Sequence, residues 1–332
     1  MTDAGARGAD WRAEPKVELH LHLEGATPPA LARAWGAPDD LFDGAGYAWG
    51  DFTGFLGAYD RVAALFARPE GSRALAEAVL RECAANGVIY AEVILSPDHV
   101  GGDAGSWAEH LAAVTEGAEA AEAATGVTAR FIAVGVRQLG PERVEAAARL
   151  AAQTAGRGQP RLVGFNMAGD ERVGRPADYA RAFAVAREAG LGLTAHAGEF
   201  GGPDSVAGAL DDLGVDRVSH GVRAVEDPAL VARLAERRVH LEICPGSNVA
   251  LGVYPDWAAH PLPALRAAGC SVGISTDDPP FFRTTMTREY EMAAKVWGFG
   301  AGDLRAIARD SIEAAFCDED TKARLRARLT QA

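Results

Sequence analysis

Eight short runs rich in β-branched and apolar residues fall at 16–23, 88–96, 128–136, 162–168, 192–197, 217–220, 240–244 and 271–276. Between them lie alanine-, leucine- and arginine-rich stretches with helical spacing, including 69–85, 106–124, 141–156, 176–189 and 227–237. Parallel strands need a crossover of a dozen or more residues, so this alternation predicts a parallel α/β fold. Eight such units in 332 residues predict a (β/α)8 TIM-type barrel. An open doubly wound sheet would carry a glycine-rich phosphate turn after its first strand, and only Gly25 stands there. The interval from Glu24 to Gly87 exceeds one crossover, so extra helices are expected after the first strand. Residues 1–14 read as a flexible leader and 15–332 as a single barrel domain, with no repeat or linker dividing it.

Composition narrows the function. A net charge of -13 repels phosphate backbones and anionic lipid, which argues against nucleic-acid and membrane partners. No stretch reaches the roughly 18 apolar residues that span a bilayer. The N-terminus lacks the apolar core of a signal peptide. Cys83, Cys244, Cys270 and Cys317 are scattered, without a C-x-x-C pair, which fits a reducing cytoplasm. The only lysines are Lys16, Lys295 and Lys322, so the middle strands offer neither a Schiff-base amine nor a carbamylated bridge between two metals.

Polar residues gather at the C-terminal ends of the predicted strands, where barrels of this kind keep their active sites. The first run reads V-E-L-H-L-H-L-E-G. Residues two apart in a strand share a face, so His20 and His22 point the same way. The fifth run ends in T-A-H-A-G-E, with His196 and Glu199; the sixth ends in S-H-G, with His220. The eighth ends in S-T-D-D-P, where Asp277 and Asp278 can reach one pocket from a fraying strand end. Singly, each has an ordinary structural explanation. Together they put four of the eight histidines and a carboxylate pair on one rim, which points to a single-metal hydrolase. Imidazole nitrogens plus a carboxylate suit zinc, and Fe(II) accepts the same ligands. The zinc deaminase signature H-x-E with P-C-x-x-C is missing, which removes the cytidine-deaminase fold.

The segments K-V-E-L-H-L-H-L-E-G-A, G-F-N-M-A-G-D-E, T-A-H-A-G-E, S-H-G-V-R-A-V-E-D, C-P-G-S-N-V and S-T-D-D-P resemble the adenosine/adenine deaminase family of the amidohydrolase superfamily, in family order from Lys16 to Pro279. The resemblance implies one Zn2+ per chain, bound by His20, His22, His196 and Asp277. It implies Glu199 as proton donor to purine N1 and His220 as the group that holds or deprotonates the attacking water. Asp278 would meet N7, and the Gly169 backbone N3. D-F-T-G-F-L-G-A-Y resembles the family's helical lid, so Phe52, Phe55, Leu56 and Tyr59 would cover the pocket; ordinary helix packing would give the same spacing.

Two departures bear on the substrate. Family members acting on adenosine commonly carry aspartate, near the ribose, where this chain has Glu24. The extra methylene moves the carboxylate by about 1.5 Å. Asn166 stands where the family often has aspartate. The M-A-G-D-E segment, by contrast, resembles the nucleoside enzymes. The main reading is therefore deamination of adenosine or 2′-deoxyadenosine to the inosine product and ammonia. The alternatives are adenine or another 6-aminopurine nucleoside as substrate, or a non-catalytic purine-binding protein. The partners implied are a small 6-aminopurine and water, in a cytoplasmic monomer or homodimer. His99, in a glycine-rich loop, and His110, in an alanine-rich helix, are expected to be exposed. His240 and His260 are expected to take no part in the site, and Cys244 to be a buried apolar residue.

Overall fold

Parallel strands β1 (Lys16–His22), β2 (Val88–Leu95), β3 (Thr128–Val136), β4 (Leu162–Ala168), β6 (Arg217–His220), β7 (His240–Ile243) and β8 (Ser271–Ile274) run in order around a barrel. Strand β5 lies between β4 and β6 in two pieces, Gly192–Leu193 pairing with β4 and His196–Ala197 pairing with β6. This computed structural model describes residues 10–44 and 46–331. The barrel closes where the Asp277 N–H donates to the His20 carbonyl at 3.1 Å and the His22 N–H to the Asp277 carbonyl at 3.0 Å. That seam places the first and last chemistry-bearing strand ends against each other.

The interval after β1 holds helices Pro29–Ala34, α1 (Phe52–Leu65) and α2 (Pro69–Ala85), as expected, and also a small antiparallel pair, Phe42–Asp43 with Gly46–Tyr47. Asp51 caps α1 by accepting from the Gly54 N–H at 2.8 Å, which aims its Phe52–Tyr59 face across the barrel mouth. Beyond β8 the described residues add a short helix, Pro279–Phe282, and longer ones at Met286–Trp297, Ala301–Ala314 and Glu319–Thr330.

Residues 1–9 of the expected leader lie outside the described residues. Residues 10–14 do not behave as a leader: Trp11 is buried, the Lys16 ammonium donates to the Trp11 and Glu14 carbonyls, and Arg305 pairs with Glu14. The lone early lysine thus ties the incoming chain to the barrel floor.

Inside the barrel the Arg217 guanidinium bridges Glu92 at 2.6 Å and Glu242 at 2.7 Å, all three fully buried. Buried charges persist only when paired and hydrogen-bonded. Glu242 also accepts from Thr194 at 3.0 Å and Ser219 at 2.7 Å, and lies 3.2 Å from His20 Nδ1. A charged core below the rim therefore reaches up to the first histidine.

Candidate active site

His20 and His22 sit on β1 with their side chains into the mouth, and His196 faces them from the second piece of β5. His20 Nε2 lies 3.2 Å and His22 Nε2 3.3 Å from the same oxygen, Asp277 Oδ1. His22 Nε2 and His196 Nε2 are 3.3 Å apart. Two of the second nitrogens are held from behind: His20 Nδ1 by Glu242, and His196 Nδ1 by Asn166 Oδ1 and the Met167 carbonyl, both at 3.1 Å. With those rear nitrogens engaged, Nε2 of His20 and of His196 faces inward, the arrangement metal-binding histidines require. The buried His20 Nε2 has no hydrogen-bond partner. His20, His196, His220 and Asp277 each offer a ligand atom within 4.8 Å of the others, and His22, Asp277 and Asp278 form an overlapping group. A divalent cation fits this donor set.

Both Asp277 and His220 adopt left-handed backbone, with φ of 68° and 63°. Side chains other than glycine pay about 1–3 kcal/mol for such a conformation, which persists only where the surroundings enforce it. At Asp277 it explains how two adjacent carboxylates face one pocket: the twist after β8 breaks the strand's alternation. Asp278 lines the pocket, and its buried, unpartnered Oδ1 lies so close to the Gly25 backbone that a Cβ there would come within 1.6 Å of it. Hence the glycine of H-L-E-G.

Electrostatics separate the carboxyl groups. Burial, then the charges of Asp277 and Glu171, push Glu199 well above the ordinary carboxylate range. Burial and the neighbouring Asp277 do the same to Asp278. Asp277 itself, set among His20, His220 and His22, is held well below its usual value against the effect of burial. Two carboxyls pushed toward the neutral form therefore flank one held toward the charged form, the separation of roles that acid–base chemistry needs. Burial lowers His22 to about 4 and His220 to about 3.

The cavity above these groups is lined by Phe52, Phe55, Leu56 and Tyr59 of α1, by Glu199, Asp278 and Gly169, and by Gln138 and His99. Gly169 has φ +104°, and a Cβ there would meet Gln138 Oε1 at 1.8 Å. Gln138, on the turn after β3, was not anticipated; its place at a strand end was the available signal. Glu24 stands behind the wall rather than on it: Tyr59 donates its hydroxyl to Glu24 Oε2 at 3.0 Å, and His99 Nδ1 lies 3.5 Å from Oε1. Burial would raise Glu24, but His99 brings it down to about 2.

Several histidine expectations need correction. His110 is buried, with Nδ1 2.8 Å from Ser72 Oγ, and His99 is half-buried against Glu24, its side chain 17% exposed. His260 is buried and connects to His220 through Asn248. His240 is buried at the start of β7, away from the mouth, and Cys244 is fully buried as expected.

The model of the adenosine deaminase family matches residues 15–332. The chain belongs to this family. It is thus a deaminase-type hydrolase of the metal-dependent amidohydrolase superfamily, and the TIM barrel follows. Two curated relatives named adenine deaminase, from Agrobacterium fabrum and Chelativorans sp., are 52% and 51% identical. They align over 96% and 95% of this chain and 98% and 97% of their own. The crystal structure of adenine deaminase from Arthrobacter aurescens superposes with a TM-score of 0.84 at 29% identity, covering 96% of this chain and 99% of its own. A zinc-bound amidohydrolase from Burkholderia ambifaria superposes with a TM-score of 0.87 at 31% identity, covering 100% and 93%. Among the described residues no helix is long and apolar enough to cross a membrane.

Proposed function

We propose that this family member is a zinc-dependent adenine deaminase, converting adenine and water to hypoxanthine and ammonia. The observation that carries the choice of base over nucleoside is that Glu24 stands behind the cavity wall, not on it. The family resemblance places this position near the ribose of adenosine. Here Tyr59, which donates to Glu24 Oε2 at 3.0 Å, and His99, 3.5 Å from Oε1, line the cavity in front of Glu24, so its carboxylate does not face the place a sugar would take. The names of relatives at about 50% identity support the same choice.

His20, His22, His196 and Asp277 would hold the zinc, on the Oδ1 side of Asp277 where their ring nitrogens converge. Asp277 Oδ2, bonded by Ser247 Oγ at 2.7 Å, faces away toward His220, which supports His220 as a neighbour of the attacking water rather than a ligand. When bound, the cation lowers the pKa of water toward about 7 and so supplies a nucleophile near neutral pH. Fe(II) would serve the same donors.

The chain's own groups do the rest. Phe52, Phe55, Leu56 and Tyr59 cover the flat purine and exclude bulk water. Protonated Asp278 meets N7, and the Gly169 backbone, braced by Gln138, meets N3. Protonated Glu199 gives its proton to N1 as C6 is attacked, so charge does not accumulate on the ring; such transfer contributes about 10²–10⁴-fold. Overall, water contributes the oxygen of C6=O; one of its protons ends on N1 and the other leaves with the amine as ammonia.

The test is an ultraviolet assay of zinc-loaded protein on adenine, adenosine, 2′-deoxyadenosine and 5′-modified adenosines, each with and without chelator. Chelator-sensitive turnover of adenine with kcat/KM well above that of the nucleosides is expected. Preference for adenosine would overturn the base assignment, and no turnover of any substrate would leave a purine-binding protein.

A further inference from the structure

His220 faces Glu199 Oε1 at 3.7 Å and Asp277 Oδ2 at 4.0 Å through Nε2, a buried atom with no hydrogen-bond partner. Whether Nε2 carries a hydrogen decides whether His220 can take a proton from water or only donate to it. A chain of contacts behind the ring fixes the answer. It begins at a group whose polarity is not in question: the backbone N–H of Leu262 donates to His260 Nδ1 at 3.2 Å. Nδ1 therefore has a lone pair, and the hydrogen of the neutral His260 ring is on Nε2.

His260 Nε2 lies 3.2 Å from Asn248 Oδ1 and donates to it. That contact fixes the amide, so Asn248 Nδ2 is the atom facing His220 Nδ1, at 3.3 Å. An amide nitrogen only donates, so His220 Nδ1 must accept. A hydrogen there would set two donors against each other in a buried space. All three side chains are buried, His260 at 3% and Asn248 and His220 at 0–1% exposure, so water cannot substitute for a lost partner.

We propose that His260 and Asn248 are positioning residues that lock His220 as its Nε2–H tautomer, making it a hydrogen-bond donor to the attacking water and not a base. The inference deepens the deaminase reading above and rests on it for the identity of the water. The proton balance then runs through Glu199 alone. Glu199 gives its proton to N1, takes up the proton that water sheds on attack, passes that proton to the departing amine, and is reprotonated by the C6 hydroxyl as C6=O forms. His220 orients the water oxygen by donation and returns unchanged.

Long-range proton–nitrogen NMR spectra of the zinc-loaded protein, labelled with 15N-histidine, read the tautomer directly. His220 is assigned by the signal lost in His220→Gln. The expected spectrum shows His220 with hydrogen on Nε2. Asn248→Asp keeps the shape but presents acceptor oxygens to both rings. It should move the His220 hydrogen to Nδ1 and lower kcat for adenine roughly 10²-fold, the size of losing one donor to a developing charge, with zinc content unchanged. His260→Gln keeps a donor toward Asn248 and should retain the tautomer and most of kcat; His260→Leu should lose both. A wild-type His220 with hydrogen on Nδ1 overturns the proposal, as does an Asn248→Asp protein with shifted tautomer and unchanged kcat. The wild-type spectrum decides even if the variants do not fold. Absence of adenine turnover in the wild type would instead count against the deaminase reading.

Discussion

The Glu171 carboxylate accepts the backbone N–H of Glu199 at 3.0 Å, and Glu199 is only one of the residues it holds. The N–H groups of Gly198, Phe200 and Gly201 donate to it at 2.6, 2.8 and 2.8 Å, and the Ser205 hydroxyl donates as well. One carboxylate from the loop after β4 thus shapes the whole turn that presents Glu199, the proposed proton donor, and its charge helps push that carboxyl above the ordinary range. Glu171→Ala should lower kcat roughly 10²-fold, since a displacement near 1 Å at a reacting group can cost that much. Zinc content should be unchanged, because His196 is held independently by Asn166 and Met167. Equal kcat in the variant would show that the loop keeps its shape without the carboxylate.

Glu199→Gln isolates the donor from its loop. The amide fills the same space and cannot release a proton to N1, so kcat for adenine should fall about 10²–10⁴-fold with zinc still bound. Near-wild-type turnover in a zinc-loaded variant would remove Glu199 from the proton path.

His240 gives a pH signature separate from catalysis. Burial first, then the Arg217 guanidinium, lowers its imidazole to about 3 against the opposing pull of Glu242; the ordinary value is 6.5. Between those values the unfolded chain binds a proton that the folded chain does not. Stability from this residue is therefore complete above pH 6.5 and lost as pH falls toward 3, by about 1.4 kcal/mol per unit. In urea melts His240→Gln should show a shallower loss of stability across that window than the wild type. Parallel curves would mean that His240 protonates readily in the fold.

The barrel and its rim were legible because strand-end residues advertise themselves: His20 and His22 at period two, then His196, His220 and Asp277 each closing a β-rich run. What sequence could not show were partners that meet across tens of residues with no local pattern. Glu171 reaches Glu199 28 positions away, and Asn248 joins two histidines, His220 and His260, from either side along the chain. His99 and His110 looked exposed because a glycine-rich loop and an alanine-rich helix are commonly at the surface. Only the packing of α1 and α2 against them covers their rings. The broken β5 and the left-handed Asp277 likewise depend on barrel closure, which no local propensity encodes.

Asn166, opaque in the sequence, has a physical role in the structure. Its Oδ1 accepts from His196 Nδ1 at 3.1 Å while its Nδ2 donates to Ser219 Oγ at 3.2 Å. Loss of such a partner behind a ligating imidazole typically costs 10–100-fold in metal affinity. Asn166→Leu should weaken zinc by about that factor in a competition titration against a chromophoric chelator. Asn166→Asp, which keeps the acceptor, should hold zinc at least as tightly as the wild type. Equal affinity in Asn166→Leu would mean that the Met167 carbonyl alone orients His196.

The substrate end of the cavity turns on one methylene. Glu24 reaches both Tyr59 and His99 because its side chain is long enough to stand behind them. Glu24→Asp withdraws the carboxylate by about 1.5 Å, which breaks at least one of those contacts and frees an acceptor toward the cavity. The freed Tyr59 ring can then swing with α1, and a sugar hydroxyl can find the carboxylate that Tyr59 had taken. The ratio of kcat/KM for adenosine to that for adenine should rise at least about tenfold, a change of about 1.4 kcal/mol in relative transition-state binding. Zinc content and the turnover of bound adenine at saturation should change far less, since Glu199 and the histidine cluster are untouched. An unchanged ratio would show that the wall formed by Tyr59 and His99 does not depend on Glu24, and that the choice between base and nucleoside is made elsewhere on the rim.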